Sequence, residues 1–409
     1  MFIKIDNIND SKESVNNLNF TIEGDFDYGL DKSVINAIRR TIIEDIPTVA
    51  FNFDETVEEK DIIINTNNTS LHNEMILHRL SLLTLYIDPE DSFKYLFKLN
   101  KKHETGDPYK FVDSNDLDIY KILPDKKDLD KMDDKNYEAQ PITQSEKDKL
   151  LRPFTFRDTK NYSLLIELKN SHTGIVNQEL NLYASPSINT GKYNANYQSC
   201  SRVSYSFVID EELVKLKLGE SIKANDVSED DKKDHAHKFI LEYSERYFHR
   251  DSQDEAYKYN IDIESQHYYD SVQIFNKSLE ILIQKLSYLK EQFVYLMKDE
   301  PSSISIEKTK SSVYTYTLND ENHTIGNLLQ SHIVRHSIDD TSVINGCCYK
   351  KLHPLEESIV LILSVNPSNK IYKKSETQII QQLTEFVRSQ LDEIKNNIID
   401  ISKASAKAF

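Results

Sequence analysis

From residue 272 onward, apolar side chains recur at alternating intervals of three and four: Val272, Phe275, Leu279, Leu282, Leu286, Leu289, Phe293 and Leu296. That interval places all of them on one stripe of an α-helix, an a/d seam nearly four heptads long. If buried, each side chain contributes about 1.5–3 kcal/mol before the loss of conformational entropy is set against it. An exposed stripe of that size would drive aggregation, so it needs a second apolar surface. The chain contains one. Ile380, Leu383, Val387, Leu391, Ile394 and Ile398 repeat at similar intervals in a helix predicted over about 375–402. The two seams are natural packing partners; the simpler alternative is that part of each lies on its own domain's sheet.

Shorter elements fill the rest. Residues 19–22 predict a strand that leads into Gly24 and Gly29, and Asp31 or Ser33 can cap the helix that follows. Val34, Ile35, Ile38 and Ile42 give that helix one apolar face, and Pro47 ends it. A strand is expected over 48–66, centred on Ile62, Ile63 and Ile64, then a short helix running into a strand over 73–85. From about 88 to 198 the character changes: charged runs at 125–128 and 130–135 read as solvated loops, with strands at 162–168 and 178–183. The polar stretch 223–237 reads as another exposed loop. After Pro301 a new domain starts near Ser302, with strands at 313–318 and 359–365 around a helix at 324–336.

Composition narrows the function. With a net charge of −17 the chain lacks the basic excess of a protein that grips phosphates directly, so little or no direct nucleic-acid contact is expected. Neither a dinucleotide-binding nor a Walker-type glycine pattern occurs among its eight glycines. Cys200, Cys347 and Cys348 cannot form a disulfide framework or a four-thiolate zinc site, and they fit a reducing, intracellular compartment. No run approaches the ~18 apolar residues of a membrane span, and residues 1–6 show no signal-peptide core. No membrane, cofactor or metal is expected. The acidic segment from Glu23 to Gly29 has a glycine where a third metal-binding aspartate would stand, and a strand-to-helix turn is the simpler reading; Asp234, His235, His237 and His249 lie in a polar segment without further organised ligands and make a poor metal site. Cys347 and Cys348 read as core residues of a strand.

The most specific pattern is Asn322-His323-Thr324-Ile325-Gly326-Asn327-Leu328-Leu329, followed about 25 residues later by His353-Pro354-Leu355-Glu356. It resembles the smaller alpha-like subunit of cellular RNA polymerases, the archaeal L and eukaryotic eleventh-subunit type, over residues 312–400. In physical terms, Thr324 can serve near the helix N-terminus and Gly326 permits close approach. Leu328 and Leu329 open a buried face, and His353-Pro354 fixes a turn.

The first part is similar to the larger alpha-like partner, the archaeal D and eukaryotic third-subunit type. The matching positions are Asn36, Arg39, Arg40 and Pro47, then Glu74, His78, Arg79, Leu80, Leu82, Leu83 and Leu85, then 259–265 just ahead of the long seam.

The resemblance implies an α+β chain in which two RNA polymerase alpha-like dimerisation domains are fused. The first would occupy 1–87 and 199–298, split by an inserted mainly-β domain at 88–198; 299–311 would be a linker and 312–409 the second domain. Internal dimerisation would use Val272, Phe275, Leu279, Leu282, Leu286, Leu289, Phe293, Leu328, Leu329, Leu383, Val387 and Leu391. Asn36, Arg39, Arg40, Glu74, His78 and Arg79 would dock the largest and second-largest polymerase subunits, with smaller polymerase subunits as further partners. Arginine suits such docking because its planar fork holds carboxylates or carbonyls through two bonds; the plainer reading is of surface residues with satisfied hydrogen bonds.

Some relatives hold a cysteine-ligated cluster near the insertion, but no cysteine precedes Cys200, so none is expected here. No catalytic residue is expected either. Fusion of the halves resembles the arrangement in large cytoplasmic DNA viruses, implying the host cytoplasm and virion in that case and nucleus or cytoplasm otherwise. Two rivals are a coiled-coil adaptor unrelated to transcription, which the strand segments and the His323–Glu356 pattern oppose, and a free-standing enzyme, for which no acid–base or nucleophile group is found.

Overall fold

The computed structural model describes residues 3–11, 16–53, 61–103, 108–122, 139–169, 177–225, 231–310, 312–338 and 342–409. The charged runs at 125–128 and 130–135 lie outside the described residues. The chain opens with strands β1 (Lys4–Ser11) and β2 (Asn17–Glu23), helix α1 (Lys32–Glu44), β3 (Pro47–Ala50), β4 (Ile62–Asn67) and α2 (Asn73–Ser81). Then come β5 (Tyr95–Lys102), β6 (Tyr109–Asp113), β7 (Asp118–Lys121), β8 (Gln140–Pro141) and α3 (Gln144–Leu151). Strands β9 (Phe154–Phe156), β10 (Thr159–Asn161), β11 (Leu164–Lys169), β12 (Glu179–Ala184), β13 (Ser187–Thr190) and β14 (Cys200–Phe207) follow. Helices α4 (Glu211–Ala224) and α5 (Lys232–Tyr243) lead to β15 (Lys258–Ser265) and α6 (Ser271–Met297). The last third holds β16 (Ile304–Lys310), β17 (Val313–Asn319), α7 (His323–His336), β18 (Ile344–Lys350), β19 (Ser358–Val365) and α8 (Glu376–Ala408). The fold is α+β.

Contacts divide the chain into two compact units, one of Met1–Ile42, Arg202–Glu264 and Ser271–Phe409, the other of Ile43–Ser201 and Ser265–Asp270. The second unit starts at Ile43, earlier than the boundary read at 88, because antiparallel ladders tie its first strands to its last. β3 pairs with β13, and β4 pairs with β12.

In the second unit a five-stranded sheet of order β4-β12-β5-β7-β8 carries the core. Leu180, Leu182, Phe97, Leu99 and Ile119 point inward from it, joined by Ile76 and Leu80 of α2. The first unit holds two four-stranded sheets, β1-β2-β15-β14 and β16-β17-β19-β18. Period-two burial is clean in one strand of each: Tyr259, Ile261 and Ile263 face in from β15, and Tyr314, Tyr316 and Leu318 from β17.

Local readings and structure differ where neighbours intervene. The strand expected over 48–66 is two strands, β3 and β4, each serving a different ladder. No strand follows α2; residues 82–88 are irregular, yet Leu83, Leu85 and Ile87 are buried. Of the loop expected over 223–237, residues 226–230 lie outside the described residues; on either side α4 runs to Ala224 and α5 begins at Lys232, so 223–224 and 232–237 are helical, with Phe239 buried. Its charged residues mark a solvated helix face, which composition does not distinguish from a loop. Cys348 is exposed and Cys347 half-buried, so the pair is not core.

Candidate subunit-docking faces

Helix α1 starts where Asp31 Oδ1 accepts the Ser33 N–H at 2.7 Å. Its buried stripe of Val34, Ile35, Ile38 and Ile42 leaves Asn36, Arg39 and Arg40 half-buried at its flank. Arg39 Nε donates to Asn36 Oδ1 at 3.1 Å, an i,i+3 pair that holds the guanidinium over the helix.

In the other unit, α2 turns Ile76 and Leu80 inward and exposes Glu74, His78 and Arg79. Arg79 Nη1 donates to the Leu165 carbonyl at 2.8 Å, and the His78 ring lies 5.6 Å from that of Phe53. Leu82, one turn on, is 63% exposed. Each trio places polar side chains on one helix flank, with Arg39 and Arg79 held by hydrogen bonds.

Within the first unit, α6 and α8 run antiparallel along each other. Lys290 Nζ meets Asp392 at 2.7 Å, Ser405 Oγ donates to Asn276 Oδ1 at 2.6 Å, and Arg388 Nη1 lies 3.7 Å from Met297 Sδ. Between these pairs Phe275, Leu279, Leu282, Leu286, Leu289 and Phe293 are buried on α6, and Leu383, Val387, Leu391, Ile394 and Ile398 on α8. Sheets cover what the helices leave open. Phe275 meets Phe20 of β2 at 5.0 Å, and Phe293 meets Tyr316 of β17 at 5.8 Å. Because α6 is enclosed on more than one side, its buried face is wider than an a/d stripe. Ile274 and Ser278 are buried with it, while Val272 and Leu296 are only half-buried. On α8 it is Ile379, with Ile380 partly covered, that begins the buried face, and Ile401 and Ser405 extend it.

In α7 the N-cap is Asn322, whose Oδ1 accepts the Thr324 N–H at 2.9 Å; Thr324 itself is not the cap. Leu328 and Leu329 are fully buried, and Asn327 is half-buried. A Cβ on Gly326 would stand 2.5 Å from Cδ2 of Tyr349 in β18, so this glycine gives room to a ring rather than to backbone. The His323 ring leans on the same tyrosine at 5.8 Å. His353, Pro354, Leu355 and Glu356 form an exposed turn between β18 and β19, where His353 Nδ1 accepts the Leu355 N–H at 3.2 Å. They are not brought to the α6–α8 pairing. Leu355, 87% exposed, has no role in the core.

Sequence reasoning missed two features of this unit. One is a set of polar contacts that joins its first and last segments. Ser331 Oγ donates to Asp31 Oδ2 at 2.6 Å, Asn397 Nδ2 donates to the Tyr28 hydroxyl at 3.2 Å, and Tyr28 stacks on His336 at 4.3 Å. Arg335 forms an ion pair with Asp251. Burial holds His332 and His336 down to about 4; His332 lies 3.3 Å from Glu393, whose half-exposed carboxylate does not offset the desolvation. The segment from Glu23 to Gly29 is the loop that makes part of these contacts, with Asp25 Oδ1 accepting the Asp27 and Tyr28 N–H groups.

The other is an open groove of about 820 Å³ between α4, α5 and β14, lined by Tyr205, Phe207, Val214, Leu218 and Ile240 among others. Isolated apolar residues inside a charged stretch were its only trace in the sequence.

A family profile described as the RNA polymerase Rpb3/Rpb11 dimerisation domain matches residues 26–286. The DNA-directed RNA polymerases I and III subunit rpac1 of Dictyostelium discoideum is 37% identical over 100 residues, 24% of this chain. That alignment spans about a quarter, 24%, of the length of this curated relative.

Proposed function

The chain belongs to the RNA polymerase Rpb3/Rpb11 dimerisation-domain family, and from that premise we propose that it is a non-catalytic assembly subunit of a multi-subunit DNA-directed RNA polymerase. Both alpha-like halves are carried in one polypeptide, and together they form a platform on which the second-largest and then the largest subunit dock. The observation that carries this reading is the antiparallel packing of α6 on α8 within one compact unit that also holds both four-stranded sheets, with α6 meeting β2 of one and β17 of the other. Tethering raises the effective concentration of the second half to about the millimolar range, so the halves need not find each other. Asn36, Arg39 and Arg40 on α1, and Glu74, His78 and Arg79 on α2, supply the charged, hydrogen-bonding faces that larger subunits would grip. A viral polymerase assembled in the host cytoplasm and packaged in the virion is the setting in which such a fusion fits.

Co-expression with the two largest polymerase subunits of the same source tests the proposal. A ternary complex competent in templated RNA synthesis is expected. Arg39→Ala with Arg40→Ala should leave the isolated chain folded, with a cooperative melt, and reduce recovery of the large subunits roughly tenfold, as for loss of a bidentate contact. Failure of the wild-type chain to recruit either large subunit would exclude the platform role.

A further inference from the structure

Apolar seams discriminate poorly. The stripes of α6 and α8 are both built from Leu, Ile, Val and Phe, so each could in principle lie against its counterpart in a second copy of the chain. The polar contacts beside them are not interchangeable in this way. Asp251 has a side chain with no exposure, and Oδ1 accepts the Gln253 and Glu255 N–H groups at 2.8 and 3.1 Å. This leaves Oδ2 aimed at one cation, Arg335 from the C-terminal turn of α7, whose side chain is 9% exposed. Gly29, at φ +79°, passes directly over the pair, and a Cβ there would collide with both the guanidinium and the carboxylate. The carboxylate therefore comes from the first half of the chain, the guanidinium from the second, and the space between them from a left-handed glycine.

We propose that Asp251 and Arg335, roofed by Gly29, are the specificity lock that makes the two unlike halves pair with each other in preference to like halves of two copies. Like-with-like pairing leaves Arg335 without its carboxylate, whereas unlike pairing satisfies it; buried charge pairs are better suited to choosing a partner than to adding stability. The connection after α6 then keeps the choice within one molecule, because Gln292 binds it closely: its carbonyl accepts Ser302 Oγ at 2.9 Å and its Oε1 the Ser303 N–H at 3.0 Å. The inference rests on the pairing of the halves and is independent of any role in transcription.

The test uses two full-length copies carrying different tags, co-expressed and captured through one tag. Wild-type chains should cross-capture little. The double variant Asp251→Leu/Arg335→Met, which replaces the pair by apolar groups, should still melt cooperatively but cross-capture a second copy roughly tenfold more. Gly29→Ala should act in the same direction without changing charge. Leu286→Val, which weakens packing away from the lock, should not raise cross-capture. If the double variant folds and stays as solitary as wild type, or if Leu286→Val raises capture equally, the lock is refuted; should Gly29→Ala fail to fold, the double variant still decides.

Discussion

His332 is 3% exposed, and burial holds its pKa at about 4 against an ordinary 6.5. The unfolded chain therefore binds the proton first as pH falls. Stability contributed by the neutral ring is complete above pH 6.5, declines between 6.5 and about 4, and is absent below, an effect of about 3 kcal/mol for this residue. His336, stacked on Tyr28 and next to Arg335, moves in the same direction. Asp31, Glu393 and Arg335 are the charged groups that bear on the two rings. Chemical denaturation at pH 7 and pH 4.5 should show the loss, and His332→Asn should flatten the slope; an unaltered slope in that variant would remove the assignment. Gly326 offers a second residue-scale prediction. Alanine gains about 1 kcal/mol of helix propensity there, but its Cβ must displace the Tyr349 ring. A net loss of about 1–3 kcal/mol is expected in thermal melts, and a stabilised Gly326→Ala would show that the ring moves freely.

At the scale of elements, α6 is the member most dependent on its surroundings. Leu282 is fully buried in mid-helix. Truncation to alanine should destabilise by about 2–5 kcal/mol, because a cavity replaces lost contacts. Leu282→Asp and Leu383→Asp should abolish soluble folded protein, since a carboxylate there finds no partner. Circular dichroism on purified variants measures both effects, and near-wild-type melting of the aspartate variants would contradict the pairing of the seams. Helix α7 is secured differently. Asn322→Ala removes one side-chain acceptor and should cost about 1 kcal/mol, whereas Thr324→Ala should have no capping effect.

At the scale of the molecule, the α6–α8 packing joins the two sheets of the first unit into one cooperative body. A protease site placed at Asp299 or Glu300, both exposed, should cut the chain between α6 and β16. The pieces should then co-elute in size-exclusion chromatography until denatured, because the buried seams hold them together without the peptide bond. Elution as two separate fragments would mean that the tether, and not the seam, keeps the halves paired.

Periodicity along the chain was enough to find α1, α6, α7 and α8 and most of their apolar stripes, because a 3.6-residue period written over several turns leaves one geometry that buries it. The sequence by itself also determined the α7 motif, where Gly326 and the Leu328–Leu329 pair dictate close packing locally. Ladder partners, exposure and polar contacts came from tertiary structure alone. Which strand β3 or β4 joins depends on residues more than a hundred positions away. Whether the charged 232–237 stretch is loop or helix depends on the burial of Phe239. That Asp251 meets Arg335 depends on three segments converging, and a carboxylate in a turn carries no sequence mark of the cation it will face. Periodicity is a local property and can be read along a chain; pairing is a relation between distant residues and exists only once the chain has closed on itself.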